Sequence, residues 1–439
     1  MISNKSKILF IYLFLIVVSG YIYPYSTDQE IFLAKLNSLE GIRYNEIKHD
    51  STYAFAYEIY FPQYLDHNNP SRKIFLQRLF LYHRNYEDPT VLITEGYNAV
   101  AGRHSELTSL LNSNEIIVEH RYFEKSCPDT LDWQYLTIEQ AANDHHRIIT
   151  FFKDLYRSKW ISTGVSKGGQ TAIFHKYFFP ADVDVTVPYV APLNLEQEDS
   201  RIYEFLNTVG TPEQRDRIKM FQRNVLRHRD KMIPLLEQYS IDKILSYIYD
   251  LNLILEYTVF EYSFSFWQWE HDINNIPDVN ASAEDVFKHL VEVSSPSFFS
   301  KKEMEEYSSF MYQAYDEIGF YGYQTKDFSD LLVSVKTDIA SNIIFAPEYE
   351  RITFNQEIMK NIDKWLRVNG NNMLYIYGAT DTWSAAAVNI GQSTNAVKMV
   401  KAGGSHLTRI KHFSDTEKEY IFSTLAKWLG IEMPAEKVF

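Results

Sequence analysis

Hydrophobic and polar positions change rhythm twice along the chain, and the changes outline its architecture. From Tyr53 to Val190 short apolar runs alternate with helical spacing. Tyr53–Phe61 and Ile74–Tyr82 read as a strand pair joined through the turn Phe61–His67, with a leading helix expected from Asp28. Val91–Thr94, Ile116–Val118, Trp160–Thr163 and Val183–Val190 read as strands buried on both faces. Ser105–Leu111 lies between the first two of these, and Thr171, Ala172, Ile173, Phe174 and Tyr177 recur as one side of a helix before the last. Strands alternating with helices predict an α/β fold on a mostly parallel sheet, preceded by an antiparallel hairpin. From about Asp199 to Asn369 strand signals fade and amphipathic runs such as Ile241–Ile248 take over. The strand rhythm returns at Met373–Tyr377 and Ala396–Val400. The expected organisation is a core in two parts, 21–198 and 370–439, interrupted by a largely helical cap over 199–369.

The first twenty residues stand apart. Lys5 and Lys7 precede the apolar run Ile8–Val18, and small residues follow at Ser19 and Gly20. That is the layout of a cleavable signal peptide over 1–20, with an uncleaved anchor as the alternative. A periplasmic or secreted protein is expected, with no stable membrane insertion after cleavage. Cys127 is the one cysteine, so an intramolecular disulfide and a cysteine metal cluster are excluded. The formal net charge of −14 disfavours nucleic acid and suits a cationic ligand such as a peptide amino terminus. No metal-ligand spacing is present, and neither metal nor cofactor is expected.

The chemistry centres on Lys159–Phe179. A short strand runs into Gly164-Val165-Ser166-Lys167-Gly168-Gly169, and a helix follows. Strand, Gly-x-Ser-x-Gly and helix in that order form the nucleophile elbow of an α/β-hydrolase. Gly164 and Gly168 make room for a turn that lifts the Ser166 hydroxyl above the sheet. The Lys167 backbone N–H is then free to stabilise an oxyanion. Gly96 and Tyr97, just past an earlier strand, are the candidates for the second oxyanion donor.

A serine nucleophile needs a base and an acid. Asp381 follows the strand Met373–Tyr377, and His406 follows Ala396–Val400. Both fall at strand ends, where ligands bind in such sheets. The order Ser166, Asp381, His406 is the hydrolase order. His412 and Asp415 are fallbacks near the last helix. Asp66 and His67 are adjacent on a turn, where hydrogen bonding within the turn is expected. Glu119 and Arg121 read as substrate contacts or as a buried ion pair.

The runs PQYLDHNNPSRKIFLQRLF, EHRYF, DWQYLTIEQAANDHHRII and KWISTGVSKGGQTAIFHKYFFPADVDVTVPYVAPLN resemble the PS-10 tripeptidyl aminopeptidases. That is the S37 family of secreted bacterial serine peptidases, relatives of the prolylcarboxypeptidase and dipeptidyl peptidase 7 group. The resemblance implies an α/β-hydrolase with a helical cap that removes tripeptides from free amino termini, with proline at the cut in several members. Residues alone reach only "serine hydrolase". They leave open an esterase or lipase on the same scaffold, and an inactive hydrolase-like binding protein.

An exopeptidase has to anchor the substrate ammonium. Glu256, Glu261 and Glu270 punctuate the aromatic run Tyr257–Trp269, and Glu317 sits in a second aromatic cluster, Phe310–Tyr323. These four are the candidate anchors. Trp267 is a candidate for a pocket suited to a proline ring.

Overall fold

The computed structural model describes residues 27–70 and 73–432; the expected signal peptide lies outside them. A helix over Asp28–Asn37 opens the described chain, closed at its start by a reciprocal Thr27–Glu30 capping box. From Gly41 onward the described chain forms one compact unit.

That unit is built on a nine-stranded sheet. Its strands are β1 (Arg43–Glu46), β2 (Phe55–Tyr64), β3 (Ile74–His83), β4 (Thr90–Thr94), β5 (Asn114–Val118), β6 (Trp160–Val165), β7 (Val185–Tyr189), β10 (Leu374–Gly378) and β11 (Val397–Lys401). A separate ribbon pairs β8 (Gly322–Gln324) with β9 (Ile339–Ser341). The spatial order is β1-β2-β3-β5-β4-β6-β7-β10-β11. β1, β2 and β3 pair antiparallel, as does β3 with β5, and every later pairing is parallel.

β4, β5, β7 and β10 are buried at every position, which is why they read as apolar runs without alternation. β5 starts two residues earlier than its hydrophobic run, at Asn114. The Asn114 side chain accepts the N–H groups of Arg84 and Asn85, and the Glu115 carboxylate takes Thr108 and His104, so both polar groups enter the sheet satisfied.

Two apolar cores flank the sheet. One packs Leu107, Leu110, Ile421, Phe422 and Leu425 against one face. The other joins the opposite face, through Ile173, Phe174, Tyr375 and Tyr377, to the interior of the helical segment between β7 and β10. The central helix of that segment, Leu251–Gln268, is buried around most of its circumference.

The segment departs from the sequence expectation in two places. It carries the β8–β9 ribbon. The run Ile241–Ile248 is also not a helix: the helix Arg229–Asp242 ends there, and Ile244 turns to φ 56° with its side chain exposed.

Candidate active site

Ser166 joins β6 to the helix Lys167–Phe178 with φ 55° and ψ −123°, a conformation an L-residue holds only when its surroundings enforce it. Its N–H is tied to the Tyr189 carbonyl at 2.9 Å. The turn closes because backbone passes where side chains would be. A Cβ on Gly164 would lie 2.3 Å from the Gly168 backbone, and one on Gly168 would lie 2.5 Å from the Thr94 carbonyl oxygen. The Thr94 hydroxyl then ties β4 to the turn by donating to the Gly168 carbonyl at 2.9 Å.

Asp381 and His406 come together. The loops after β10 and β11 place His406 Nδ1 2.9 Å from Asp381 Oδ2, with Asp381 fully buried. The other Asp381 oxygen accepts the Trp383 N–H at 3.1 Å, so the carboxylate is fixed from both sides. The His406 carbonyl accepts from Arg409, whose guanidinium lies over the Tyr189 ring, and the Tyr189 carbonyl holds the Ser166 N–H. All three residues thus stand on the carboxyl-end edge of the sheet. No hydrogen bond links Ser166 to His406 in this conformation. The fallbacks do not form such a pair. Asp415 is exposed and bonded to Lys418, and His412 accepts the Arg409 N–H.

The N–H groups of Lys167 and Tyr97 make no hydrogen bond among the described residues. Gly96 packs onto the elbow so closely that a Cβ there would lie 2.6 Å from Lys167 Cβ.

From Tyr97 an aromatic wall crosses to the acid loop. Tyr97 meets Phe310, Phe310 meets Phe320, and Phe320 meets Trp383, with ring centres 5.3–5.6 Å apart. Trp383 was not singled out in the sequence. Its signal is its place two residues after Asp381. On the other side, Trp269 stands edge-on to the His406 ring at 5.6 Å.

The four candidate carboxylates have different neighbours. Glu256 is fully buried against Arg229 at 2.8 Å and accepts the N–H groups of Val333, Ser334 and Val335. Its charge is matched and its oxygens are occupied, which corrects the expectation that it faces a ligand. Glu317 accepts the Ile138 N–H at the start of the helix Ile138–Phe152 and is bonded by Gln313, so it is a clamp between cap and core. Burial pushes its pKa up to about 8. Glu270 accepts from Ser405, next to His406. Glu261 is buried among three hydroxyls, those of Ser265, Tyr321 and Tyr323, and no cation pairs with it among the described residues. Burial raises its pKa.

Trp267 packs on Phe266 and lines a cavity with Phe260, Ser263 and Tyr323 whose wall contains none of Ser166, Asp381 and His406. Glu119 and Arg121 are not partners of each other. Glu119 pairs with Arg78, and Arg121 grips Asp144 through two 2.7 Å bonds. His67 belongs to that network, 2.7 Å from Asp144. Beneath the elbow, Glu95, Arg103, Tyr189, Arg409 and Lys411 line a cavity of about 240 Å³, and burial pushes the Glu95 pKa up to about 7.

A strained serine elbow and a buried aspartate–histidine pair on one edge of this sheet define an α/β-hydrolase. The chain belongs to the PS-10 peptidase S37 family, whose sequence model matches residues 29–438. It is 29% identical over 406 residues to the prolyl tri/tetrapeptidyl aminopeptidase of Streptomyces mobaraensis, covering 90% of this chain and 84% of that one. Among solved structures it is similar to the proline iminopeptidase of Mycobacterium smegmatis (12% identity, TM-score 0.38, 81% of this chain and 95% of that one). It is also similar to a proline iminopeptidase-related protein of Thermus thermophilus (11% identity, TM-score 0.40, 84% of this chain and 99% of that one).

Proposed function

We propose that this protein is an extracytoplasmic serine exopeptidase that removes tripeptides from free peptide amino termini. The observation that carries the reading is the 2.9 Å Asp381–His406 pair on the same sheet edge as the strained Ser166. Ser166 Oγ attacks the scissile carbonyl while His406 Nε2 takes its proton. The proton then passes to the departing amine, and water hydrolyses the acyl-enzyme by the same route. Asp381 holds the His406 tautomer and stabilises the imidazolium. The N–H groups of Lys167 and Tyr97 receive the oxyanion, with the Gly96 N–H beside them.

The length of the released peptide and the free terminus come from the family and from the Streptomyces relative's name. The wall of Phe310, Phe320 and Trp383 supplies flat apolar surface suited to a proline ring. Among the four candidate carboxylates, Glu261 has the surroundings of an ammonium receptor: it is buried and hydroxyl-bonded, with no cation of its own among the described residues.

The test is incubation with free-terminus peptides of mixed sequence, with products read by mass spectrometry. Tripeptides released stepwise from the amino terminus are expected. Single residues, or cuts scattered along the chain, would overturn the reading.

A further inference from the structure

A lysine is an expensive residue to bury, and Lys167 is 3% exposed directly behind the nucleophile. Its ammonium donates to the Gly96 carbonyl at 2.7 Å and lies 5.5 Å and 5.3 Å from the ring centres of Tyr97 and Phe123. The Gly96 carbonyl and the Tyr97 N–H are the two ends of one planar peptide and point in opposite directions across it. Holding the oxygen on the lysine therefore turns the Tyr97 N–H the other way, and that N–H has no hydrogen-bond partner among the described residues. Drawing electron density toward the carbonyl oxygen also makes the N–H a stronger donor, as in any chain of hydrogen bonds.

We propose that the Lys167 side chain is a positioning residue of the oxyanion hole. Its backbone N–H is one oxyanion donor, and its ammonium orients and polarises the peptide that carries the other. A hydrophobic residue would fill the same volume without a desolvation cost, so packing gives no reason for a lysine here. Glycine at 96 lets this peptide lie against the elbow, because a Cβ there would collide with the Cβ and backbone of residue 167 and with the Gly168 backbone.

The titratable groups facing the ammonium are His120, in the loop after β5, and Glu317, from the cap; His120 also lines a small cavity beside the lysine whose other polar members are Gln313 and Thr171. Burial pushes the His120 pKa well below its usual range and lowers that of Lys167 to about 7, with Glu317 offsetting part of the latter shift.

The proposal rests on Ser166 being the nucleophile, and its test separates the two ideas. A tripeptide aldehyde, which forms a hemiacetal oxyanion on the serine, is compared with the product tripeptide, which forms none. Inhibition of the parent enzyme by the aldehyde establishes the serine chemistry; its absence would overturn both ideas. Lys167→Met should then lower kcat on a tripeptidyl p-nitroanilide about ten- to a hundredfold, less than the ~10²–10³ of deleting a donor outright. The aldehyde Ki should rise by the factor that kcat/KM falls, while KM and the tripeptide Ki stay within about twofold. Lys167→Arg should recover part of the loss. Unchanged kcat and aldehyde binding in Lys167→Met, or equal weakening of aldehyde and tripeptide, would overturn the proposal. Lys167→Gln covers the case in which Lys167→Met fails to fold. Its amide keeps a donor toward the Gly96 carbonyl without the charge. Its aldehyde Ki should rise with its fall in kcat/KM while the tripeptide Ki stays within about twofold, and equal weakening of both ligands would count against the proposal.

Discussion

The backbone N–H of His406 reaches the Gln268 carbonyl at 3.0 Å, so the proposed general base hangs from the last turn of the cap's central helix. The next two cap residues reinforce the attachment: Trp269 lies edge-on to the imidazole, and Glu270 accepts from Ser405. Position of the base and position of the cap are therefore one variable. Trp269→Ala should lower kcat substantially, about a hundredfold if the ring drifts by an ångström, while thermal stability changes little. His406→Ala should cost on the order of 10⁶ in turnover, and Asp381→Asn about 10⁴. Steady-state kinetics on one tripeptidyl substrate rank the three. A His406→Ala enzyme as active as Trp269→Ala would remove His406 from the role of base.

The elbow separates chemistry from folding. Ser166→Ala removes one hydroxyl from a turn whose backbone is held by the Tyr189 carbonyl, so the protein should fold and lose labelling by a fluorophosphonate. Gly164→Val should do the opposite kind of damage, because its first side-chain carbon already lands 2.3 Å from the Gly168 backbone. The expected phenotype is insoluble or unfolded protein, checked by circular dichroism before any assay. A well-folded Gly164→Val enzyme would contradict the geometry of the turn.

Glu95 gives a pH signature in stability. Its pKa is raised by burial from 4.5 to about 7, with Arg103 offsetting part of the effect. Between those values the unfolded chain has released the proton and the folded chain retains it, so stability falls as pH rises from about 4.5 to about 7 and then levels off. The full shift corresponds to about 3 kcal/mol. Glu95→Gln has no proton to lose, so its melting temperature should decline less than the parent's across that window. Parallel curves for parent and variant would show that the carboxyl titrates normally.

How much could be read from the sequence depended on whether a residue's task is set by its neighbours in the chain. The buried strands were legible because burial on both faces leaves an unbroken apolar run, as in Val91–Thr94. The elbow was legible because its constraint spans five consecutive positions. Glu119 and Arg121 were not, since their partners Arg78 and Asp144 come from a distant strand and helix. The β8–β9 ribbon was missed because two three-residue strands are too short to show a period. Ile241–Ile248 failed for a related reason: its helical spacing continues past Lys243, but the chain turns at Ile244, which is left exposed. The four cap glutamates looked equivalent, since a buried carboxylate is defined by what folds against it.

That difference yields the sharpest prediction. Glu256 and Glu261 lie five positions apart on the helix Leu251–Gln268, and both are buried. Glu256 meets Arg229 and three loop N–H groups, so Glu256→Gln breaks a buried ion pair and should destabilise the protein by about 3–5 kcal/mol. Whatever folds should keep the parent's substrate preference. Among the described residues Glu261 is hydrogen-bonded only by hydroxyls and pairs with no cation, and a substrate ammonium would supply one. The glutamine oxygen can accept from both tyrosines while its NH2 donates to the Ser265 hydroxyl, so Glu261→Gln should fold with near-parental stability. On free-terminus tetrapeptides it should lose about a hundredfold in kcat/KM, the scale of removing one member of a buried charge pair. The parent should reject N-acetylated tetrapeptides, because an acetylated terminus leaves the carboxylate unpaired. The variant should reject them far less, chiefly because the free peptide has become a poor substrate. Measuring kcat/KM for the free and acetylated forms of one tetrapeptide on parent, Glu256→Gln and Glu261→Gln decides the matter. If Glu261→Gln keeps the parent's free-to-acetylated ratio, the ammonium is anchored elsewhere and Glu270, beside Ser405, is the next carboxylate to change.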